Sequence, residues 1–403
     1  MLMSLSGIVF GVGFFIVTQA QTSGFQEFFV KTILSTKGAI RVEDKIQATM
    51  FFMVATGAHT DSKFEIQTPR EARKYIPGVE EPDDMMEKLR KFRNVSGVST
   101  VVEGSVIADS SFKNDTAKVL GIRLEDHLAV SELAGQVARG SGSASLEDFR
   151  NTPQGLLMGK ALAERLGLTV GDSLILRAGT EQRRYRLSGI YFTGVSDIDR
   201  VWIYLHIGEA RSLLKKATGA SYIQVSLFDR DRAPQDAAQM EGVLEHGAMS
   251  WQEREESWLQ AFSALQISAA LTVSTIILIS GLGMFNTLAM IVIEKTKEIA
   301  ILRSMGYTRQ DIARIFIWLG TIVLVIGTLG GWALGYTVTY GVSKYPIKIR
   351  GIFSADTFQV HSTIWHYVVG TVTAAVVVMT AAIIPARRAA RLEPGDIIRG
   401  TSQ

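Results

Sequence analysis

The sequence predicts an α-helical membrane protein with four transmembrane helices and a large α+β extracytoplasmic domain inserted between helices one and two. Three observations carry this reading. Of 403 residues, 47% are hydrophobic and only 20% charged, below the roughly 25% of an ordinary soluble domain. The missing charge is concentrated in long charge-free windows, and the residues between the first and second windows alternate and carry charge as a water-facing domain does. The same totals exclude a disordered chain. The absence of cysteine excludes a disulfide-stapled mini-protein, and a net charge of +3 excludes a basic nucleic-acid binder.

The first window, residues 1–26, ends at the first charge, Glu27, and Leu2–Ala20 supplies the run of about 20 apolar residues that a bilayer core needs. A cleaved signal peptide would need a basic start and a small-residue cleavage site. Met1–Ser6 has no Lys or Arg, and Gln19, Gln21 and Thr22 are poor flanks. The other spans are residues 257–293, 315–343 and 357–386, the last with its apolar centre at Tyr367–Ile384. Orientation follows from Lys and Arg in the short loops. The loop 294–314 holds Lys295, Lys297, Arg303, Arg309 and Arg314, and the tail 387–403 holds Arg387, Arg388, Arg391 and Arg399. The loop 344–356 holds only Lys344, Lys348 and Arg350. The first loop and the tail are therefore expected in the cytoplasm and residues 27–256 outside.

Within 27–256, strands are expected at Ala39–Val42, Ala48–Val54, Gly97–Glu103, Leu156–Gly159, Ser173–Arg177, Tyr185–Phe192 and Val201–Leu205. Asp83–Phe92, Gly208–Ala217 and Ala161–Leu166, the last stopped by Gly167, read as helices. Tyr222–Phe228, a helix over Pro234–His246 and a strand at Ala248–Trp251 form a βαβ-like unit. The run Gly140–Ser145 (GSGSAS) reads as a flexible loop.

Catalytic motifs are missing. Gly159–Lys160 is followed by Ala161, and Gln154 stands where a P-loop would begin, so no ATP hydrolysis is expected from this chain and no cofactor bound by it. His361 and His366 have the nearest thing to metal spacing, and an interfacial role fits them better. The spans carry no Asp, Glu, Lys or Arg, which argues against a proton- or ion-coupled transporter. What the spans offer is small residues at four-residue spacing: Gly7 and Gly11 in helix one, and Gly320, Gly327, Gly331 and Gly335, with Gly330 beside them, in helix three. Such spacing lets helices pack closely. The loop Glu294–Phe316 (EKTKEIAILRSMGYTRQDIARIF) reads as a short amphipathic helix with Ile299, Ile301 and Leu302 on its apolar face. Gly306 breaks it, and Thr308 with Asp311 caps a second helix that re-enters the membrane.

That loop, together with the ending PARRAARLEPGDIIRG (Pro385–Gly400), resembles the FtsX/MacB-type permeases of ATP-binding-cassette transporters. The start of the chain, with Gly24–Phe25 after helix one, and Gly155–Leu176 (GLLMGKALAERLGLTVGDSLIL) are similar to the LolC/LolE lipoprotein-releasing branch. The resemblance implies a MacB-like periplasmic core of two subdomains, one built from both ends of 40–250 and one inserted near 120–220, with helices one and two extended as a stalk. It implies a bacterial inner-membrane permease that is not itself an enzyme. Its partners would be an ABC ATPase subunit carrying ATP and Mg, a second permease copy or paralogue, membrane lipid and a periplasmic lipoprotein carrier. Lys297, Glu298, Ile299, Leu302, Arg303, Met305, Gly306 and Tyr307 would form the coupling element that docks into the ATPase. Family members carry a basic amphipathic helix before helix one, whereas here helix one begins at Met1 or Leu2. MacB-like export, or FtsX-like signalling to a cell-wall hydrolase, are the alternative activities.

Overall fold

A computed structural model describes residues 2–47, 74–111, 113–216, 218–344 and 360–391. The chain divides into two compact units, one built from residues 1–28, 257–349 and 355–403, the other from 29–256 and 350–354.

Helix α1 is Leu2–Lys37. It continues beyond the charge-free window because residues 27–37 contain no Gly or Pro to stop it. Gly38 ends it at φ +68, and a Cβ there would lie 2.9 Å from the Val225 carbonyl oxygen. Strand β1 (Ile40–Gln47) follows and pairs with β2 (Lys74–Ile76). The strand expected at Ala48–Val54 lies outside the described residues. Helix α2 (Pro82–Arg90) buries Met85, Met86 and Leu89 on one face. Then come β3 (Val95–Asp109), β4 (Asn114–Ile122), α3 (Leu124–Val130), α4 (Leu133–Gly140) and α5 (Ala144–Asn151).

The loop expected at Gly140–Ser145 is confined to Ser141–Ser143, since Gly140 ends α4 and Ala144 begins α5. Packing overrides its composition. Ser141 Oγ donates to the Ile190 carbonyl at 3.1 Å and accepts the Ile190 N–H at 3.0 Å. A Cβ on Gly140 would collide with the backbone of Ile190.

The chain continues through β5 (Gly155–Gly159), α6 (Lys160–Leu166), β6 (Ser173–Ala178), β7 (Glu181–Tyr191), α7 (Ser196–Asp199), β8 (Trp202–His206) and α8 (Ile207–Leu214). Gly167 closes α6 in the left-handed region at φ +67. Strand β9 (Tyr222–Leu227), α9 (Ala233–Leu244), β10 (His246–Ser250) and α10 (Trp251–Arg254) complete the domain. The helix expected to reach His246 stops at Leu244, and His246 opens the strand instead. Trp251 is helical rather than extended because Ser250 and Glu253 form a capping box that starts α10.

Among the described residues, the ten strands join one mixed sheet, ordered β10-β1-β9-β3-β4-β8-β5-β7-β6 with β2 beside β1. A further β3–β6 pairing closes β3, β4, β8, β5, β7 and β6 into a ring. Strand β3 belongs to both parts. Val95–Val101 pairs with β9 in the open layer, and Val101–Asp109 pairs with β4 in the ring. Strands β9 and β10 are each antiparallel to β1, which lies between them, so β9-α9-β10 is a βαβ unit split by one strand. The ring's core holds Val106, Val119, Leu156, Met158, Leu176 and Leu205, all buried.

The other unit is helical. Helix α11 (Glu256–Glu294) leads into α12 (Thr296–Ser304), α13 (Arg309–Lys344) and α14 (Ile364–Ala390). Helices α1, α11, α13 and α14 are each long and apolar enough to cross a membrane. With 36 residues in α1 and 39 in α11, these helices reach about 54 and 58 Å at 1.5 Å per residue, beyond the roughly 30 Å of a hydrocarbon core.

Candidate functional site

Helix α12 and the turn after it connect α11 to α13. Gly306 follows the C-cap residue Met305 with φ +103. The Tyr307 N–H donates to the Leu302 carbonyl at 3.2 Å, and the Gly306 N–H donates to the Arg303 carbonyl at 3.2 Å. These are the paired bonds of a Schellman cap, which needs a residue at ease with positive φ. Thr308 then starts α13. Its N–H and hydroxyl both donate to Asp311 Oδ2, at 3.0 and 2.6 Å, and the Asp311 N–H donates back to Thr308 Oγ1 at 3.3 Å. The connection between the two helices is thus Met305–Thr308, with both ends hydrogen-bonded.

The two faces of α12 differ. Ile299 and Ala300 are buried, and Ile299 joins a cluster with Val292, Ile312, Phe316, Ala386 and Ala389, against which Leu302 also packs. Arg303 Nη1 donates to the Ala390 carbonyl at the end of α14, at 3.1 Å. Ile299, Leu302 and Arg303 therefore face this chain's own helices. Lys297, Glu298, Met305 and Tyr307 are exposed, with Glu298 ion-paired to Lys295. Ile301 does not share the apolar face with Ile299 and Leu302. It is 58% exposed, because two residues along a helix turn a side chain by about 200°. The sequence pattern pointed to Ile301, but only the helical angle shows its direction.

The glycines hold the bundle together from within. A Cβ on Gly7 would lie 2.7 Å from Ser280 Oγ, and one on Gly11 would lie 2.9 Å from Ile277, both on α11. On α13, Cβ atoms on Gly327, Gly331 and Gly335 would lie 2.7, 2.7 and 3.0 Å from Ile8, Val12 and Ile16 of α1. The four-residue spacing on α13 thus meets a four-residue spacing on α1.

In the large domain, a feature that sequence reasoning missed ties together the two ends of its chain. Glu255 is buried and pairs with Lys37 at 2.9 Å and with Arg254 at 3.4 Å. Arg254 Nη2 donates to the Gly38 carbonyl at 3.0 Å, and burial lowers the Arg254 pKa. Only the charge run Glu253–Glu256 hints at this in the sequence. His127 is fully buried against Tyr204, and burial pushes its pKa down to about 4. A cleft of about 600 Å³ opens where the chain passes between the sheet layer and the ring, lined by Asp44, Glu80, Glu103, Lys216 and Ser221 among others. Among the described residues, no group of three or more His, Asp or Glu is placed to hold a metal ion.

Residues 1–243 match the family model of the MacB-like periplasmic core domain, and residues 270–394 match the FtsX-like permease C-terminal model. The lipoprotein-releasing system transmembrane protein LolC of Xylella fastidiosa is 26% identical over 328 residues, 76% of this chain and 78% of that protein. LolE of Haemophilus influenzae is 24% identical over 352 residues, 80% and 82% of the two chains. The macrolide export ATP-binding/permease protein MacB of Vibrio parahaemolyticus is 29% identical over 134 residues, 33% of this chain and 19% of that one. Among solved structures, the periplasmic region of MacB from Actinobacillus actinomycetemcomitans aligns with 56% of this chain and 94% of its own, at 11% identity and a TM-score of 0.35. With the two models matched in succession along most of the chain and four helices apolar enough to span a membrane, this membrane protein belongs to the ABC-transporter permeases that join a MacB-like periplasmic core domain to an FtsX-like C-terminal segment.

Proposed function

We propose that the chain is the permease subunit of an ATP-driven machine that releases lipoproteins from the inner membrane to a soluble carrier. The observation that carries the mechanical part is the α12 joint. Its outer face offers Lys297, Glu298, Ile301, Met305 and Tyr307 to a partner, while its inner face is fixed to α13 and α14 through Ile299 and Arg303. A partner ATPase binding there would move α13 and α14 with α12, because the capped turn leaves little slack. In this reading ATP and Mg act on the partner, residues 294–314 and the tail face the cytoplasm, and the large domain is periplasmic. A second copy or a paralogue completes the assembly.

Support for lipoprotein as the cargo comes from relatives named LolC and LolE that align along three quarters or more of the chain. Withdrawing acyl chains from lipid costs about 0.8 kcal/mol per methylene, which accounts for a need for ATP. The test is co-reconstitution with the cognate ATPase in proteoliposomes holding an acylated protein. ATP-dependent transfer to a soluble carrier is the expected result. Hydrolysis with no transfer, but with export of a peptide or hydrophobic small molecule, would replace this reading with MacB-like export. Hydrolysis by the permease alone would refute it.

A further inference from the structure

The first turn of α14 is capped by a histidine. Thr363 is the N-cap residue. The His366 backbone N–H donates to the Thr363 carbonyl at 3.0 Å, and the His366 ring accepts the Thr363 N–H through Nδ1 at 3.4 Å. In most capping boxes that acceptor is Glu or Gln. A histidine Nδ1 accepts only in the neutral ring with its proton on Nε2. That tautomer leaves the Nε2–H free to donate to Ser23 Oγ of α1, at 3.2 Å. One placement of one proton therefore satisfies both the cap and the link to α1.

The surroundings form a polar belt around α1. Gln19 Nε2 donates to the Gln266 carbonyl at 3.1 Å, and Gln266 Nε2 donates to Gln26 Oε1 at 2.8 Å. The His361 N–H donates to the Ala20 carbonyl at 2.9 Å, so the segment leading into α14 also holds α1. Toward His366, α1 presents Ser23 with Gln19 and Gln26 a turn away on either side, and α11 contributes Gln266. From α13, Trp332 packs on the neighbouring Tyr367. The titratable group whose field acts on His366 is His361.

We propose that the His366 cap is a proton-operated latch on the contact between α1 and α14. A proton taken from solvent onto Nδ1 sets two donors, Nδ1–H and the Thr363 N–H, against each other. The cap is lost, the first turn of α14 loosens, and the segment through His361 that holds Ala20 loosens with it. The latch is closed when the ring is neutral and opens as pH falls.

The sequence has no cysteine, so a single Ile364→Cys on this first turn, where the side chain is 75% exposed, takes a nitroxide without other labelling. The full chain in lipid nanodiscs is followed by electron paramagnetic resonance from pH 8 to 5, the range in which an imidazole changes charge. The ratio of mobile to immobile component is expected to rise about fivefold, the change a lost cap gives, in one single-proton transition. His366→Gln, which can cap but does not titrate, should stay immobile throughout, and His366→Ala should be mobile throughout. His361→Gln should keep the transition. A flat profile in the otherwise unaltered chain, or a transition that survives in His366→Gln, overturns the proposal.

Discussion

Replacing Gly306 with alanine isolates what the turn contributes. At φ +103 a residue with a side chain is strained by about 1–3 kcal/mol. A Cβ at Gly306 meets nothing within 4 Å, so steric collision adds nothing and the whole effect is conformational. The strain falls on the two bonds from Tyr307 to Leu302 and from Gly306 to Arg303. Local opening of the turn should become favoured by about 5- to 150-fold, the ratio corresponding to that energy. Hydrogen exchange of residues 305–308, read by mass spectrometry on the purified chain, should accelerate by that factor while the interior of α13 is unchanged. Asparagine, which tolerates positive φ better than alanine, should fall in between. In the reconstituted system, Gly306→Ala should leave the partner ATPase active and reduce release of the cargo. Unaltered exchange together with unaltered release would refute the idea that the Schellman turn links α12 to α13.

Three further outcomes follow from the same geometry. Ile299→Ala should lower the thermal stability of the helical unit by about 2 kcal/mol or more, since Ile299 is in the buried cluster, whereas Ile301→Asp should leave stability intact and weaken pull-down of the ATPase. Equal losses of stability would contradict the assigned faces. Because burial holds His127 at about 4 against about 6.5 in an unfolded chain, the large domain keeps its full stability above pH 6.5. It loses about 3 kcal/mol as pH falls from there toward 4. Thermal melts of His127→Gln should lack this component, and an identical pH profile would exclude it. Cysteines placed by Val243→Cys and Met305→Cys, both 70% exposed, should react with an impermeant thiol reagent from opposite sides of the membrane. Labelling from one side would overturn the proposed orientation.

The long apolar helices are legible because a single rule, no charge over bilayer length, picks them out, yet that rule marks where the apolar run ends rather than where the helix ends. Helix α1 continues to Lys37 and α13 begins at Arg309, among charged residues that are good helix formers. The caps at Gly167, Gly306 and Thr308 could be read locally because the stereochemistry that fixes them is local. Strand β4 is not legible locally because its opening residues, Asn114-Asp115-Thr116, look like a turn, and they extend only through their pairing with Asp109, Ala108 and Ile107. The helical ends of the Gly140–Ser145 run were hidden for the same reason, since Ile190, far along the chain, organises them. Ring closure through β3 and β6 depends on pairing over long sequence separation. No pattern within β3 announces that one strand serves two layers.

That sharing decides how the large domain can bear load. A force along β3 is resisted by all its ladder bonds at once, because the strand runs unbroken from Val95 to Asp109 and is paired with β9 in one half and β4 in the other. The chain's return path is stitched to the same strand, with the Glu103 N–H donating to Ser221 Oγ at 2.9 Å and Lys216 Nζ donating to the Glu103 carbonyl at 3.0 Å. The sheet layer and the ring are thus one spar rather than two jaws. A displacement of one layer is therefore carried to the other through the backbone of β3 itself.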